Sequence, residues 1–245
     1  MNMGLRVQLR KSVGKRIEAL PWDGLTASLH ESGCALTPEL LTPEECAALR
    51  SLYPQDDLFR SHIVMELLRF GLGDYKYFKY PLPEIVEALR THAYPYLAQV
   101  ANGWVASLGD STRFPATLAK FLKACHEAGQ HRPTPLMLHY EKGGYNCLHQ
   151  DIYGAVAFPL QMVIMLGQQG RDWTGGEFIL VEQRPRAQSK AEVLIPNEGC
   201  AAIFTTRYRP VRGSKGSYRV NLRHGVSRVQ SGSRYALGII FHDGK

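Results

Sequence analysis

A chain of 245 residues with 29 Lys and Arg against 22 Asp and Glu carries a net charge of +7, long enough for one domain with a sizeable core and basic enough to attract polyanions without saying which. Its five cysteines, Cys34, Cys46, Cys125, Cys147 and Cys200, are odd in number and form no Cys-x-x-Cys pair, which argues against a disulfide framework or a zinc or redox motif and reads as free thiols of a reducing compartment. No run approaches the length of a membrane span and the basic start lacks an apolar signal core, so a soluble cytoplasmic protein is expected.

In chain order, Arg6, Arg10, Lys11, Lys15 and Arg16 accumulate with no acid among them, so residues 1–20 read as a basic arm, a solvated tail or a phosphate-contacting extension. Residues 33–41 read as a short strand running into a helix, with Thr42 as N-cap, Pro43 at the first position and Glu45 completing a capping box. Ala47, Ala48, Leu49 and Leu52 supply that helix's apolar side and Pro54 stops it. The alternation over residues 75–80 suits a strand ended by Pro81 and Pro83. Its tyrosines could stack bases, although core packing is the usual reason for such a ladder. Helical periodicity follows over residues 84–97, bent by Pro95, and over 116–128, closed by Gly129.

From Pro133 onward the pattern changes to short apolar runs between turns, the mark of a sandwich or barrel. Strands are expected over residues 136–140, 147–151, 160–166, 177–181, 191–195, 201–205, 218–224 and 235–241, with a tight turn at Gly175 and Gly176. Eight strands fit a jelly roll. The expected fold is therefore α+β, a double-stranded β-helix core over residues 131–245 buttressed by a helical part over 21–130, all one domain.

The chemistry concentrates in residues 140–151. On a strand, residues i and i+2 share a face, so His149 and Asp151 could reach one metal ion. His224 is the candidate third ligand, and two His with one carboxylate on one side of an ion leave the opposite positions open, as in non-haem Fe(II) oxygenases. A lone His-x-Asp proves little in a chain with nine His; the ordered set of Tyr140, Gly143, His149, Asp151, His224 and Arg234 is more specific. The other histidines do not compete. His30, His62, His92, His126 and His131 fall on predicted helices or their ends without a partner at ligand spacing, His139 should face away from Tyr140, and His242 can stand behind the ligands at most.

In this order and spacing, residues 131–243 resemble the Fe(II)/2-oxoglutarate-dependent dioxygenase superfamily. The resemblance implies that His149, Asp151 and His224 hold Fe(II) and that Arg234, ten positions after the distal His, pairs with the far carboxylate of 2-oxoglutarate, helped by the Tyr140 hydroxyl. It also implies O2 as oxidant, conversion of 2-oxoglutarate to succinate and CO2, and hydroxylation of a substrate C–H bond. The stretch from Tyr140 to Asp151 looks like that of AlkB-like oxidative nucleic-acid demethylases, whereas the His224 to Arg234 stretch is closer to prolyl hydroxylases. The whole chain is similar to a bacterial oxygenase family proposed to act on damaged DNA.

Substrate class is less legible. Between Glu198 and Asp243 there is no acid, while Arg207, Arg209, Arg212, Lys215, Arg219, Arg223 and Arg228 gather around the distal His with Tyr208 and Tyr218 interleaved. Such a cluster suits phosphate contacts and base stacking, with Arg207, Arg209, Arg212, Lys215 and Tyr145 as the expected substrate contacts, or else is a solvated basic face. The expected activity is oxidative demethylation of alkylated nucleic acid. The alternatives are a prolyl-type protein hydroxylase and a non-catalytic jelly-roll binding module, and the intact ligand spacing argues against the module.

Overall fold

The computed structural model describes residues 12–184 and 186–245. Its elements are α1 (Val13–Glu18), α2 (Trp22–Ser32), β1 (Cys34–Glu39), α3 (Pro43–Arg50), β2 (Phe59–Val64), β3 (Gly71–Leu72), β4 (Asp74–Phe78), α4 (Glu84–Ser107), α5 (Leu118–Glu127), β5 (Leu136–Glu141), β6 (Tyr145–His149), β7 (Leu160–Met165), β8 (Trp173–Gly175), β9 (Phe178–Gln183), β10 (Lys190–Leu194), β11 (Cys200–Thr205), β12 (Tyr208–Gly213), β13 (Gly216–Val226) and β14 (Val229–Ile240). The antiparallel strands form two sheets. The major sheet runs β1-β11-β7-β14-β5-β4-β2 with β8 beside β14; the minor sheet runs β10-β9-β13-β6-β3 with β12 beside β13. This is the expected jelly roll, with strands flanking the core that the alternation alone left as loops.

Burial follows the layers. One face of the major sheet packs under the helices, where Leu89, Tyr94, Leu97 and Trp104 of α4 meet Phe121 of α5 and Met162, Ile164, Leu237 and Ile239 of the sheet. Each such side chain contributes roughly 1.5–3 kcal/mol when fully buried. The opposite face meets the minor sheet through Val163, Ala236, Phe178, Phe204 and Leu222, and the site lies between these two sheets.

The strongest local signals hold. Thr42 and Glu45 form both bonds of the capping box on α3, and Leu118–Glu127 matches the expected second long helix. Other boundaries differ for physical reasons. Helix α4 continues through Pro95 to Ser107, because its buried face extends to Trp104 and Val105 and that packing outweighs one missing backbone bond. The basic arm ends sooner than residue 20: from Ser12 the chain turns helical, with Val13 and Ile17 buried. Arg16 donates to the Leu40 carbonyl at 2.6 Å and pairs with Glu45 at 2.5 Å. Arg6, Arg10 and Lys11 lie outside the described residues. The segment read as a basic cluster after residue 207 is a long hairpin, β12 paired with β13. Among the described residues no helix is long and apolar enough to cross a membrane.

Candidate active site

Strands β6 and β13 pair antiparallel with His149 directly opposite His224, a placement that brings side chains together on one face. Their ring centroids are 4.2 Å apart. The His149 Nδ1 lies 2.8 Å from the Cys147 carbonyl, so Nδ1 carries the proton and Nε2 offers its lone pair. That Nε2 lies 3.6 Å from Asp151 Oδ1, and His224 Nε2 lies 3.1 Å from Asp151 Oδ2. Ligand atoms of all three residues lie within 4.8 Å of one another. Phe178 and Phe204 pack against His224 from behind, at 5.8 and 4.8 Å between centroids.

Asp151 reaches this cluster by a route that differs from the expected strand over residues 147–151. The strand ends at His149, because Gln150 leaves the ladder and donates from its side chain to the Leu222 carbonyl at 2.8 Å and the Arg207 carbonyl at 3.1 Å. Asp151 then turns inward and accepts a 2.5 Å bond from the Tyr153 hydroxyl. Burial by itself would raise the Asp151 carboxyl, but His224 and His149 and the Tyr153 hydroxyl outweigh it and hold the group well below the usual carboxylate range. Burial, reinforced by His149 and opposed by Asp151, lowers His224. The result is a lone-pair nitrogen beside an ionised oxygen, a donor set that suits a divalent iron with several positions left open.

These three residues line one cavity of about 410 Å³, together with Tyr140 and Arg234. Arg234 on β14 pairs across the ladder with Tyr140 on β5, and both side chains are buried, at 1% and 0% exposure. The guanidinium lies 5.4 Å over the Tyr140 ring and 6.0 Å from that of Trp173. Asn146 donates to the Tyr140 hydroxyl at 3.3 Å. Burial lowers Arg234 and pushes Tyr140 up to about 12, with Arg234 and Asn146 opposing. Among the described residues no carboxylate forms an ion pair with Arg234, and its Nε has no partner. A buried cation without a counter-ion is costly, and a bound carboxylate would relieve it.

The expected substrate contacts fare differently. Arg209 is buried and donates to Glu182 Oε2 at 2.9 and 2.7 Å and to the His30 carbonyl at 3.1 Å, so it ties the hairpin to α2 and is not free to meet a substrate. Arg207, Arg212 and Lys215 are exposed, but only Arg207 comes near the metal-site strand, through its carbonyl, and none of the three lines the cavity. Arg212 and Lys215 occupy the tip of the β12–β13 hairpin, about 25–30 Å along the strand from His224 at the usual rise per residue. The Tyr145 ring lies beneath the Arg228 guanidinium, 5.2 Å from it, and does not line the cavity.

Several further residues line it, and of these the sequence marks only the tyrosines of the 75–80 ladder, as base-stacking candidates. Tyr75 and Tyr77 face the cavity with Leu136 and Leu138; their alternation was visible, but not the direction in which they point. Asn146 lies inside the motif stretch. Arg69 and Phe70 join the mouth from a turn without any sequence signature. His62 lies on β2 rather than on a helix and bonds Asp74 at 2.6 Å. His139 does face away from the site, with Nε2 2.9 Å from Ser233.

Residues 73–244 match the model of a family described as an oxygenase catalysing oxidative methylation of damaged DNA. A protein recorded in two strains of Mycobacterium tuberculosis and described as uncharacterized is 49% identical over 166 residues, 68% of this chain and 71% of its own. Among solved structures, a Pseudomonas putida prolyl-4-hydroxylase aligns at a TM-score of 0.53 and 15% identity, over 91% of this chain and 99% of its own. A Burkholderia pseudomallei oxidoreductase of the 2OG-Fe(II) oxygenase family aligns at 0.53 and 17%, over 91% and 92%.

Proposed function

Since the chain belongs to the oxygenase family whose model spans residues 73–244 and shares its fold with 2-oxoglutarate–Fe(II) oxygenases, we propose that it is an Fe(II)- and 2-oxoglutarate-dependent oxygenase acting on alkylated nucleic acid. The observation that carries the reading is one cavity with His149, Asp151 and His224 in its wall and the buried Arg234, in ion-pair contact with no carboxylate among the described residues, beside Tyr140. Iron bound by the three donors, with O2 and 2-oxoglutarate, supplies the oxidising power that turns a substrate C–H into C–OH as 2-oxoglutarate becomes succinate and CO2.

The protein's part is to bind, orient and exclude water. His149 presents its Nε2 lone pair, His224 turns its Nε2 to the same centre, and Asp151 remains ionised at neutral pH. Arg234 takes the distal carboxylate of 2-oxoglutarate in a bidentate pair, with the Tyr140 hydroxyl as a further donor. Tyr75, Tyr77, Leu136 and Leu138 give the cavity an aromatic and apolar wall, which keeps water from the reacting atoms and suits a planar base. Nucleic acid as substrate is supported by the family's description and the +7 charge. The free thiols support a cytoplasmic setting.

A prolyl-type protein hydroxylase is the second reading, favoured by the spacing of His224 and Arg234. Succinate formation from 2-oxoglutarate with Fe(II), measured with N-methylated oligonucleotides and with proline-containing peptides, decides between them. Stimulation by the oligonucleotides alone is expected; stimulation by peptides alone would replace the nucleic-acid reading.

A further inference from the structure

The turn that borders the cavity mouth displays apolar side chains that the core does not use. Leu67 is 80% exposed, Leu68 50% and Phe70 46%, on and just after the 3-10 turn Met65–Leu68. Large apolar groups shown side by side at a cavity mouth mark a surface that meets a partner. They cannot fold back. Met65 at the start of the turn is fully buried in the core between the sheets, its N–H donates to the Gly73 carbonyl, and the Phe70 N–H returns to the Met65 carbonyl, both at 3.0 Å. On the far side, the Cys147 N–H donates to the Phe70 carbonyl at 2.8 Å, so the turn is fixed to the strand that carries His149. Gly71 holds φ +148°, and a Cβ there would stand 2.2 Å from the Tyr145 carbonyl oxygen.

Arg69 sits between the leucines and Phe70 in the left-handed conformation, at φ 59°, and both Arg69 and Phe70 line the mouth. Among the described residues Arg69 forms no ion pair. A second guanidinium, Arg228, lies over Tyr145, the residue paired with Leu72 at the end of the same segment. The surface is thus an apolar tip flanked by two cations, which suits stacked bases bordered by phosphates.

We infer that this turn is a strand-opening wedge, with Leu67 and Leu68 entering the base stack beside an extruded base and Arg69 holding a neighbouring phosphate. The inference rests on the nucleic-acid reading above and adds to it a duplex as the bound form. A base inside a duplex cannot bring its alkyl group to ligands at the wall of a cavity, so it must leave the stack. The gap it leaves is filled by apolar side chains in proteins that kink or open DNA.

The test uses the iron-loaded full chain with 2-oxoglutarate and two forms of one oligonucleotide carrying a single N-methylated base, single-stranded and annealed. The double variant Leu67→Ser, Leu68→Ser is expected to lower the ratio of duplex to single-strand turnover by about tenfold or more. A 2-aminopurine placed beside the methylated base should brighten on binding the parent protein to the duplex and much less with the variant. An unchanged ratio, or equal reduction on both forms, overturns the wedge. If the parent protein processes neither oligonucleotide while proline peptides stimulate succinate formation, the nucleic-acid reading itself has failed, and the wedge with it; that result is distinguished because it needs no variant.

Discussion

At His149, Asp151 and His224 the geometry makes a sharp demand, because each contributes one donor to a set of three. Replacing any of them by Ala is expected to abolish Fe(II) binding at micromolar metal and all 2-oxoglutarate turnover while leaving the far-ultraviolet circular dichroism unchanged. Arg234 serves another partner. Arg234→Gln should raise the dissociation constant for 2-oxoglutarate by about tenfold to a hundredfold, the equivalent of roughly 1.5–3 kcal/mol for a charge-assisted pair, with little change in metal affinity; equal 2-oxoglutarate titrations for both proteins would refute the role. His242 sets a pH dependence. Burial lowers it to about 4, and its Nδ1 accepts from the Phe158 N–H at 3.3 Å, a bond that needs the neutral ring. The unfolded chain protonates this residue near 6.5 and the native chain only near 4, so between those values the unfolded state binds more protons and stability falls as pH drops through the window. The decrease is about 3 kcal/mol in all. Urea unfolding at pH 7.5 and pH 4.5 should show it, and His242→Asn should flatten it.

Among the elements, the β12–β13 hairpin shows how a motif read from charge can take on a structural role. Arg209 and Glu182 are 6% and 7% exposed and paired at 2.7 Å, tying β12 to β9 across the minor sheet, while the His30 carbonyl joins it to the end of α2. Arg209→Ala removes both bonds to Glu182 Oε2 and leaves that carboxylate only the Arg184 bond at 2.6 Å on Oε1, so it should cost about 1–3 kcal/mol, seen as a lower urea midpoint. Were Arg209 instead a phosphate ligand, stability would hold and oligonucleotide affinity would fall. Strand β3 makes a similar case through geometry. Gly71→Ala forces a Cβ against the Tyr145 carbonyl on the strand bearing His149, so metal affinity is expected to weaken along with stability.

For the whole molecule, the proposed nucleic-acid substrate and the +7 charge together call for oligonucleotide affinity that falls steeply with salt, log affinity tracking log salt at roughly −0.7 to −0.9 per phosphate neutralised. Arg212 and Lys215 at the hairpin tip are far from His224, so they can touch only flanking nucleic acid. Replacing both by Gln should make the slope shallower by about one unit for each phosphate that is no longer neutralised and leave 2-oxoglutarate decay without substrate unaltered. A slope that stays the same would make the hairpin tip a merely solvated face.

The sequence by itself determined the candidate ligands and the apolar runs of the core. His149 and Asp151 stand two positions apart and His224 and Arg234 ten, each pair a local spacing, and the apolar runs of β7 and β11 are those of strands buried on both faces. The capping box of α3 was legible for the same reason: its partners are three residues apart. Only the tertiary structure decided what depends on distant segments. The short strands β3 and β8 lack the length for a pattern and exist through their partners β6 and β14. The inward turn of Asp151 depends on Gln150 finding carbonyls on other segments, and the direction of Tyr75 and Tyr77 on how the sheets close. Arg209 and Arg212 are three positions apart and look alike in sequence, yet one is buried against Glu182 and the other exposed. Charge is a property of the residue, but whether it meets a carboxylate or solvent is decided by elements far along the chain.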